Sequence, residues 1–168
     1  IEQYLDWTSL ASVAGFVGAS LGGSLSFDYV AEVRARWTGN IVVKGILDPA
    51  DARRSIDVGA DAVWVSNHGG RQLEASPAAI SCLPAIDAEI GDEVPVLFDS
   101  GVRSGADIAR AISLGADFVF AGRPFYFGLG ALGADGGGHA YEILHDGLLN
   151  VMHQTGCVRP AELRERTR

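Results

Sequence analysis

Two short runs in this sequence carry residue types that can do chemistry. The first is Ser66-Asn67-His68-Gly69-Gly70-Arg71-Gln72. An imidazole serves as a general base near neutral pH. Three residues on, Arg71 offers a planar fork matched to a carboxylate. Gly69 and Gly70 carry no side chain, which lets a ligand approach the backbone. A base beside a carboxylate clamp suits proton removal from a small carboxylic acid. The second run is Asp99-Ser100-Gly101-Val102-Arg103, with a partner in Ala121-Gly122-Arg123-Pro124. Glycine, arginine and a following helix start at both places make a phosphate site. Asp99 can accept hydrogen bonds from ligand hydroxyls.

Regular elements must position these runs, and the apolar pattern supplies them. Ile41-Val42-Val43 reads as a strand ending at Lys44-Gly45, and Asp48-Pro49 opens a helix that stops near Gly59. A second strand covers 62–65 and ends at Ser66-Asn67-His68; Ser76-Pro77 opens the next helix. A third strand over 94–98 ends at Asp99, and a helix over 104–114 is stopped by Gly115. A fourth strand over 118–121 ends at Gly122-Arg123, and 141–153 is helical with Gly156 as its stop. Continuous apolar strands alternating with helices predict parallel β-structure. Residues 50–67 and 106–123 match at eight of 18 positions with an offset of 56, so units recur about every 28 residues. A closed (β/α)8 barrel has eight such units in roughly 250 residues. The expected fold is therefore α/β, the C-terminal half of a (β/α)8 TIM barrel, about four βα units plus a C-terminal helix. A doubly wound sheet is the alternative. All the polar runs fall at C-terminal strand ends, the active-site face of a barrel. Together they imply a phosphorylated, polyol-bearing cofactor. Flavin mononucleotide (FMN) fits, because a ribityl chain separates its phosphate from its ring. Lys44 would then set a positive charge beside that ring.

Composition bounds the rest. The chain is 48% hydrophobic, 20% charged and 8% aromatic, which excludes a disordered tail, a collagen-like fibre and a coiled coil. A net charge of −8 argues against a nucleic-acid partner while permitting a local cationic pocket. Cys82 and Cys157 make neither a disulfide framework nor a zinc site and read as reduced thiols of a cytosolic protein. His139, His145 and His153 have spacings that suit no metal site, and no metal is expected. Gly128-Leu129-Gly130-Ala131-Leu132-Gly133 matches a dinucleotide fingerprint in letters only, since it does not directly follow a strand; it reads as helix and loop. The stretch 7–27 holds no charge but is too rich in Ser and Gly for a spanning helix. Residues 1–27 are expected to be a mobile or membrane-surface segment, 28–160 the half-barrel, and 161–168 a charged C-terminal tail. The start IEQYLDW lacks the basic region of a signal peptide, and an initial Ile1 points to processing or to a longer chain.

The runs VKGILDPADAR, SNHGGRQLE, DSGVRSGADIARAISLGAD and AGRPFYFGLGALG resemble the FMN-dependent L-2-hydroxy-acid dehydrogenase/oxidase family over about residues 26–160. SNHGGRQ is the most specific of them. The resemblance implies FMN as cofactor and oxidation of a lactate-like L-2-hydroxy acid to the 2-keto acid. It implies His68 as the active-site base, Arg71 as the substrate-carboxylate arginine and Lys44 at the flavin N1/O2 edge. Ser66 would lie near the flavin. Asp99, Ser100, Gly101, Val102 and Arg103 would form the ribityl and phosphate loop, and Gly122 and Arg123 the second phosphate loop. Two positions depart from the commonest pattern. Glu74 stands where Asp is usual, and Ser100 replaces a Gly common in glycolate oxidases, which leans toward bacterial lactate and mandelate dehydrogenases. The resemblance also implies partners: the missing N-terminal half of the barrel, an electron acceptor (quinone, cytochrome or oxygen) and further copies in a homo-oligomer. It implies a cytoplasmic site, peripheral to the inner face of the plasma membrane if 7–27 is an attachment segment. The 168-residue chain alone is expected to be inactive. The rival readings are an inactive half-barrel and another phosphate-binding barrel enzyme.

Overall fold

The computed structural model describes residues 25–166 and, before them, Gly15 alone. Nearly all of the uncharged stretch 7–27, read above as a mobile or membrane-surface segment, lies outside the described residues, as do the last two residues of the charged tail. The apolar runs form one parallel sheet in the order β1-β2-β3-β4, with β1 at Val42–Ile46, β2 at Ala62–Val65, β3 at Val96–Phe98 and β4 at Phe118–Val119. Every strand neighbours the next in sequence. A doubly wound sheet would reverse its order at a switch point, so the alternative falls and four consecutive units of a barrel wall remain.

Helices fill the crossovers: α2 at Pro49–Asp57, α3 at Ala79–Ile90 and α4 at Gly105–Ser113, followed after β4 by α5 at Arg123–Leu132, α6 at Gly136–Thr155 and α7 at Leu163–Arg166. Before β1 stands α1, Phe27–Arg36, which the apolar pattern does not announce because none of its residues is buried. Its signals are polar: Ser26 accepts the Tyr29 N–H as N-cap, Asp28 lies in the first turn, and Arg34 and Arg36 lie in the last. Several boundaries move. β1 continues past Lys44 to Ile46 through a bulge at Gly45, whose φ is +100°. β3 begins at Val96 rather than 94, because the Val94 N–H still bonds the Ile90 carbonyl at the end of α3. β4 stops at Val119 rather than 121. α3 begins at Ala79 because Ser76 is held in a turn by its N–H to the Leu73 carbonyl.

One face of the sheet is dry. Val63, Val65, Val96 and Phe98 pack with Leu83, Ile86 and Ile90 of α3, Ala52 of α2 and Ala111 of α4. The other face carries Trp64, Leu97, Phe118 and Phe120, with Phe118 56% exposed. Trp64 stacks on Phe120 at 4.1 Å between ring centres, and Phe118 tilts against Phe120. A smaller cluster of Ala109, Met152, Cys157 and Leu163 ties α4, α6 and α7 together. The stretch 161–168 thus contributes a buried Leu163 as well as charge. The Gly-rich 128–133 segment is the end of α5 and the turn after it, as its letters-only match to a nucleotide fingerprint required.

The internal repeat has a structural meaning. Each copy places a left-handed glycine after a helix, Gly59 after α2 and Gly115 after α4, and an aspartate just before a strand, Asp61 before β2 and Asp117 before β4. Asp61 accepts the Ile41 N–H at 2.7 Å, and Asp117 accepts the Val96 N–H at 2.7 Å, each at the start of the neighbouring strand. One arginine then bridges each pair. Arg34 of α1 donates to the Gly59 carbonyl and to Asp61, while Arg164 of α7 donates to the Gly115 carbonyl and lies 3.6 Å from Asp117. All this lies at the N-terminal end of the sheet, the stabilising face of a barrel.

Candidate active site

At the opposite end, β2 runs from buried Val65 into buried Ser66, and the chain then turns sharply. His68 adopts a φ of +55° and Gly69 one of +67°. A positive φ is uncommon for a residue with a side chain, so this turn must be held. The Ser66 Oγ accepts the His68 N–H at 3.1 Å. The Ser100 Oγ accepts the Asn67 N–H at 3.3 Å and the Gly69 N–H at 3.1 Å. Both hydroxyls donate to the same atom, Oδ1 of Asp99, Ser100 at 2.7 Å. Asn67 Nδ2 fixes the turn from the side by donating to the Pro77 carbonyl at 3.1 Å. Arg123 reaches across from the start of α5 and donates to the Gly69 carbonyl.

Asp99 is the hub. Its other oxygen, Oδ2, accepts from Lys44 Nζ at 2.8 Å, and Lys44 also donates to Ser66 Oγ at 3.1 Å. Burial pushes the Asp99 carboxyl up, but hydrogen bonds from Lys44, Ser66 and Ser100, with the Lys44 charge, outweigh it and hold the group below its ordinary range. Asp99 is therefore a carboxylate. The Lys44 ammonium lies 4.8 Å from the centre of the Trp64 ring. The bulge at Gly45 lets β1 present Lys44 opposite Trp64 before the register shifts.

A cavity of about 810 Å³ opens at this end of the sheet. It is lined by His68 and Arg71 from the β2 turn, by the Asp99-Ser100-Gly101-Val102-Arg103 loop and by Gly122 and Arg123. Nine of the residues named from sequence thus meet around one space. Lys44 and Ser66 are outside this lining and connect to it through Asp99. Trp64, Phe120 and Tyr126 also line the cavity and were not named from sequence. The alternation rule could have found two of them, since Trp64 precedes Ser66 by two and Phe120 precedes Gly122 by two.

The lining holds three arginines, Arg71, Arg103 and Arg123, against one carboxylate. In a chain of net charge −8 this is a local cationic pocket. The two loops differ in what they offer an anion. The start of α4 is closed by its own capping box: Ser104 accepts the Asp107 N–H, and the Asp107 carboxylate accepts the Arg103 and Ser104 N–H groups. Burial raises Asp107, but those bonds and Arg110 prevail, so it too is ionised. The Asp107 carboxylate thus takes up the Arg103 and Ser104 amides at this helix start. The start of α5 has Gly122 at its N-cap and no side-chain cap; Pro124 brings no N–H and the Phe125 N–H bonds the Gly122 carbonyl, so the Arg123 amide is the first-turn donor left for an anion.

These features fit FMN. A cavity of this size is within the usual range for a cofactor-sized ligand. Its cationic end has an uncapped helix start beside Arg123, and its apolar wall has the stacked Trp64 and Phe120. The Trp64 Nε1 is buried with no hydrogen-bond partner among the described residues. Lys44 keeps one of its three donors beyond those given to Ser66 and Asp99.

Comparison with known proteins agrees. A family model described as FMN-dependent dehydrogenase matches residues 3–167. The chain is 40% identical over 156 residues to the L-lactate dehydrogenase of Ectopseudomonas mendocina, a match covering 93% of this chain and 41% of that protein. It is 44% identical over 133 residues to an FMN-dependent alpha-hydroxy acid dehydrogenase of Schizosaccharomyces pombe, covering 78% and 33%. Mandelate oxidase with a monooxide FMN adduct is similar in structure at a TM-score of 0.80 and 39% identity, over 84% of this chain and 45% of that one. The chain thus spans less than half the length of these relatives, and the wall it forms is a partial (β/α)8 barrel. With that match running across almost all of its residues, the chain belongs to the FMN-dependent dehydrogenase family.

Proposed function

We propose that this chain is the part of an FMN-dependent enzyme that carries the base, a substrate-carboxylate clamp and the phosphate end of the cofactor site. The reaction is oxidation of a lactate-like L-2-hydroxy acid to its 2-keto acid. The observation that carries this reading is the convergence of His68, Arg71, Asp99, Arg103 and Arg123 on one cavity at the C-terminal end of a parallel sheet. Gly101, Val102, Arg103, Gly122 and Arg123 would hold the phosphate and ribityl end, with Asp99, Ser66 and Lys44 toward the ring. FMN, when bound, supplies the two-electron acceptor. Arg71, exposed and without an ion-pair partner among the described residues, holds the substrate carboxylate through its fork. His68, on a turn pinned by hydrogen bonds on both sides, takes a proton from the substrate onto an imidazole nitrogen.

The remaining half of the barrel supplies the groups that face this rim. A quinone, cytochrome or oxygen takes the electrons onward, and the enzyme works as a homo-oligomer. Its place is the cytoplasm or the inner face of the plasma membrane; among the described residues no helix is long and apolar enough to cross a membrane. The test is the visible flavin spectrum of the enzyme completed by its N-terminal portion. Anaerobic L-lactate should bleach the flavin band. In the His68→Gln enzyme the band should persist with FMN still bound, and turnover should fall by about 10²- to 10⁴-fold. Near-normal turnover of that variant would remove His68 from the role of base.

A further inference from the structure

We propose that Ser100 is a positioning residue for the turn that carries His68, and not a side-chain ligand of the cofactor. A serine hydroxyl has one proton to donate and two lone pairs to accept with. At Ser100 all three are committed. The proton goes to Asp99 Oδ1 at 2.7 Å, and the lone pairs take the Asn67 N–H at 3.3 Å and the Gly69 N–H at 3.1 Å. Those two amides flank His68. The Asn67–His68 conformations, φ −102° followed by φ +55°, point successive N–H groups into one concavity, the arrangement that ordinarily collects an anion. Here the concavity is filled by two hydroxyls, Ser66 on the His68 N–H and Ser100 on its neighbours, and both are backed by the Asp99 carboxylate. The negative charge of Asp99 is thereby relayed to three consecutive amides.

Ser100 bears a cost for this. Its own φ is +83°, a left-handed conformation that glycine adopts freely and serine does not. Strain of this kind persists where surrounding bonds over-determine it, and the three bonds of Ser100 are those bonds. The arrangement also links Lys44 to His68 through Asp99 and Ser100, so the group paired with the lysine also fixes the imidazole-bearing turn.

The inference rests on the dehydrogenase reading for its kinetic arm alone. Two variants of the completed enzyme test it. Ser100→Ala deletes the hydroxyl and keeps the backbone strain. Ser100→Gly deletes the hydroxyl and relieves the strain, so it folds even where the alanine variant does not. Amide hydrogen exchange over residues 66–70, measured on the FMN-bound enzyme without substrate, should quicken about tenfold or more in both. With L-lactate, kcat should fall about 10- to 100-fold, as a displaced base requires, while KM and the FMN dissociation constant stay within about threefold. Unchanged exchange at 66–70 overturns the proposal whatever the turnover. A tenfold or greater loss of FMN affinity overturns it too, by returning Ser100 to the cofactor site. If the unaltered enzyme oxidises no 2-hydroxy acid, the dehydrogenase reading fails, and the exchange result still decides the role of Ser100.

Discussion

Asp99 shows how one side chain can set the electrostatics of a whole rim. It neutralises Lys44, orders two hydroxyls and leaves Arg71, Arg103 and Arg123 as the uncompensated charges around the cavity. Because its carboxyl is held below the ordinary value of 3.8, the folded state favours the ionised form more than the unfolded chain does. That stability is complete above the ordinary carboxylate range and is lost as pH falls below it toward the native value. Asp99→Asn should therefore destabilise the fold most at pH 7, and the gap from the unaltered protein should narrow below about pH 4. Urea unfolding at several pH values measures this; a gap independent of pH would mean that the carboxylate contributes by shape alone. Arg71 makes a different prediction. A lysine keeps the charge but loses the bidentate fork, so Arg71→Lys in the completed enzyme should raise KM for L-lactate by about tenfold or more, the equivalent of one good charged hydrogen bond. Steady-state kinetics with retained flavin absorbance would check it, and an unchanged KM would move the carboxylate to another group.

Elements explain why such side chains meet. The strands end level although the βα units differ in length, with Val43 paired to Val63, Val63 to Val96 and Leu97 to Phe118, and the repeated glycine and aspartate lock the far face of the sheet. Arg164 is one of the two locks, binding Gly115, Asp87 and Asp117 together. Removing Asp117 leaves the N–H of fully buried Val96 without its partner, and Asp117→Ala should cost about 1–3 kcal/mol by thermal or urea unfolding. Helix crossings set a tighter limit. A Cβ on Gly105 would strike the α6 backbone at Gly147 and Leu148, so Gly105→Ala should destabilise by about 1–3 kcal/mol or more and loosen the α4–α6 contact. A neutral result at Gly105 would mean that the two helices can part without loss. Much of this was legible in the sequence. Buried parallel strands betray themselves as apolar runs, and polar residues after each run mark the active-site end, so His68, Arg71, Asp99 and Arg123 could be placed together before any coordinates. What stayed hidden had weak or ambiguous signals. α1 buries nothing and has no apolar stripe. Trp64 and Phe120 look like ordinary core residues until the sheet shows that their face is the open one. The capping box of α4 shows in sequence only as Ser104 and Asp107 three apart, a spacing that does not by itself announce a cap. Ser100 was legible as a departure from glycine, but its bonds to the His68 turn join residues more than thirty apart in sequence.

At the scale of the molecule, the sheet is dry on one face only. Trp64, Leu97, Phe118 and Phe120 form an apolar surface that four strands cannot curl far enough to bury, and among the described residues β1 and β4 have no neighbour on their outer edges. Edges and faces of this kind pair with whatever chain is available. The relatives are more than twice as long as the matched stretch, and a barrel closes only when further strands cover both edges at once. Closure also changes the cofactor site. The cationic end built by Arg103, Arg123 and the α5 start is present in this chain, whereas the space around Trp64 and Phe120 is walled on one side only. A phosphate end without an enclosed ring end gives weak binding, because desolvation of the ring is the larger apolar gain. The 168-residue chain by itself should therefore associate through its open face and lose FMN on gel filtration. Co-produced with the N-terminal portion of a relative such as the Ectopseudomonas mendocina enzyme, it should elute as a discrete species with the flavin band attached. Elution profile and flavin absorbance, read together, decide the matter. A monodisperse chain that keeps FMN alone would show that four strands hold the cofactor without help, and that the missing strands serve the substrate only.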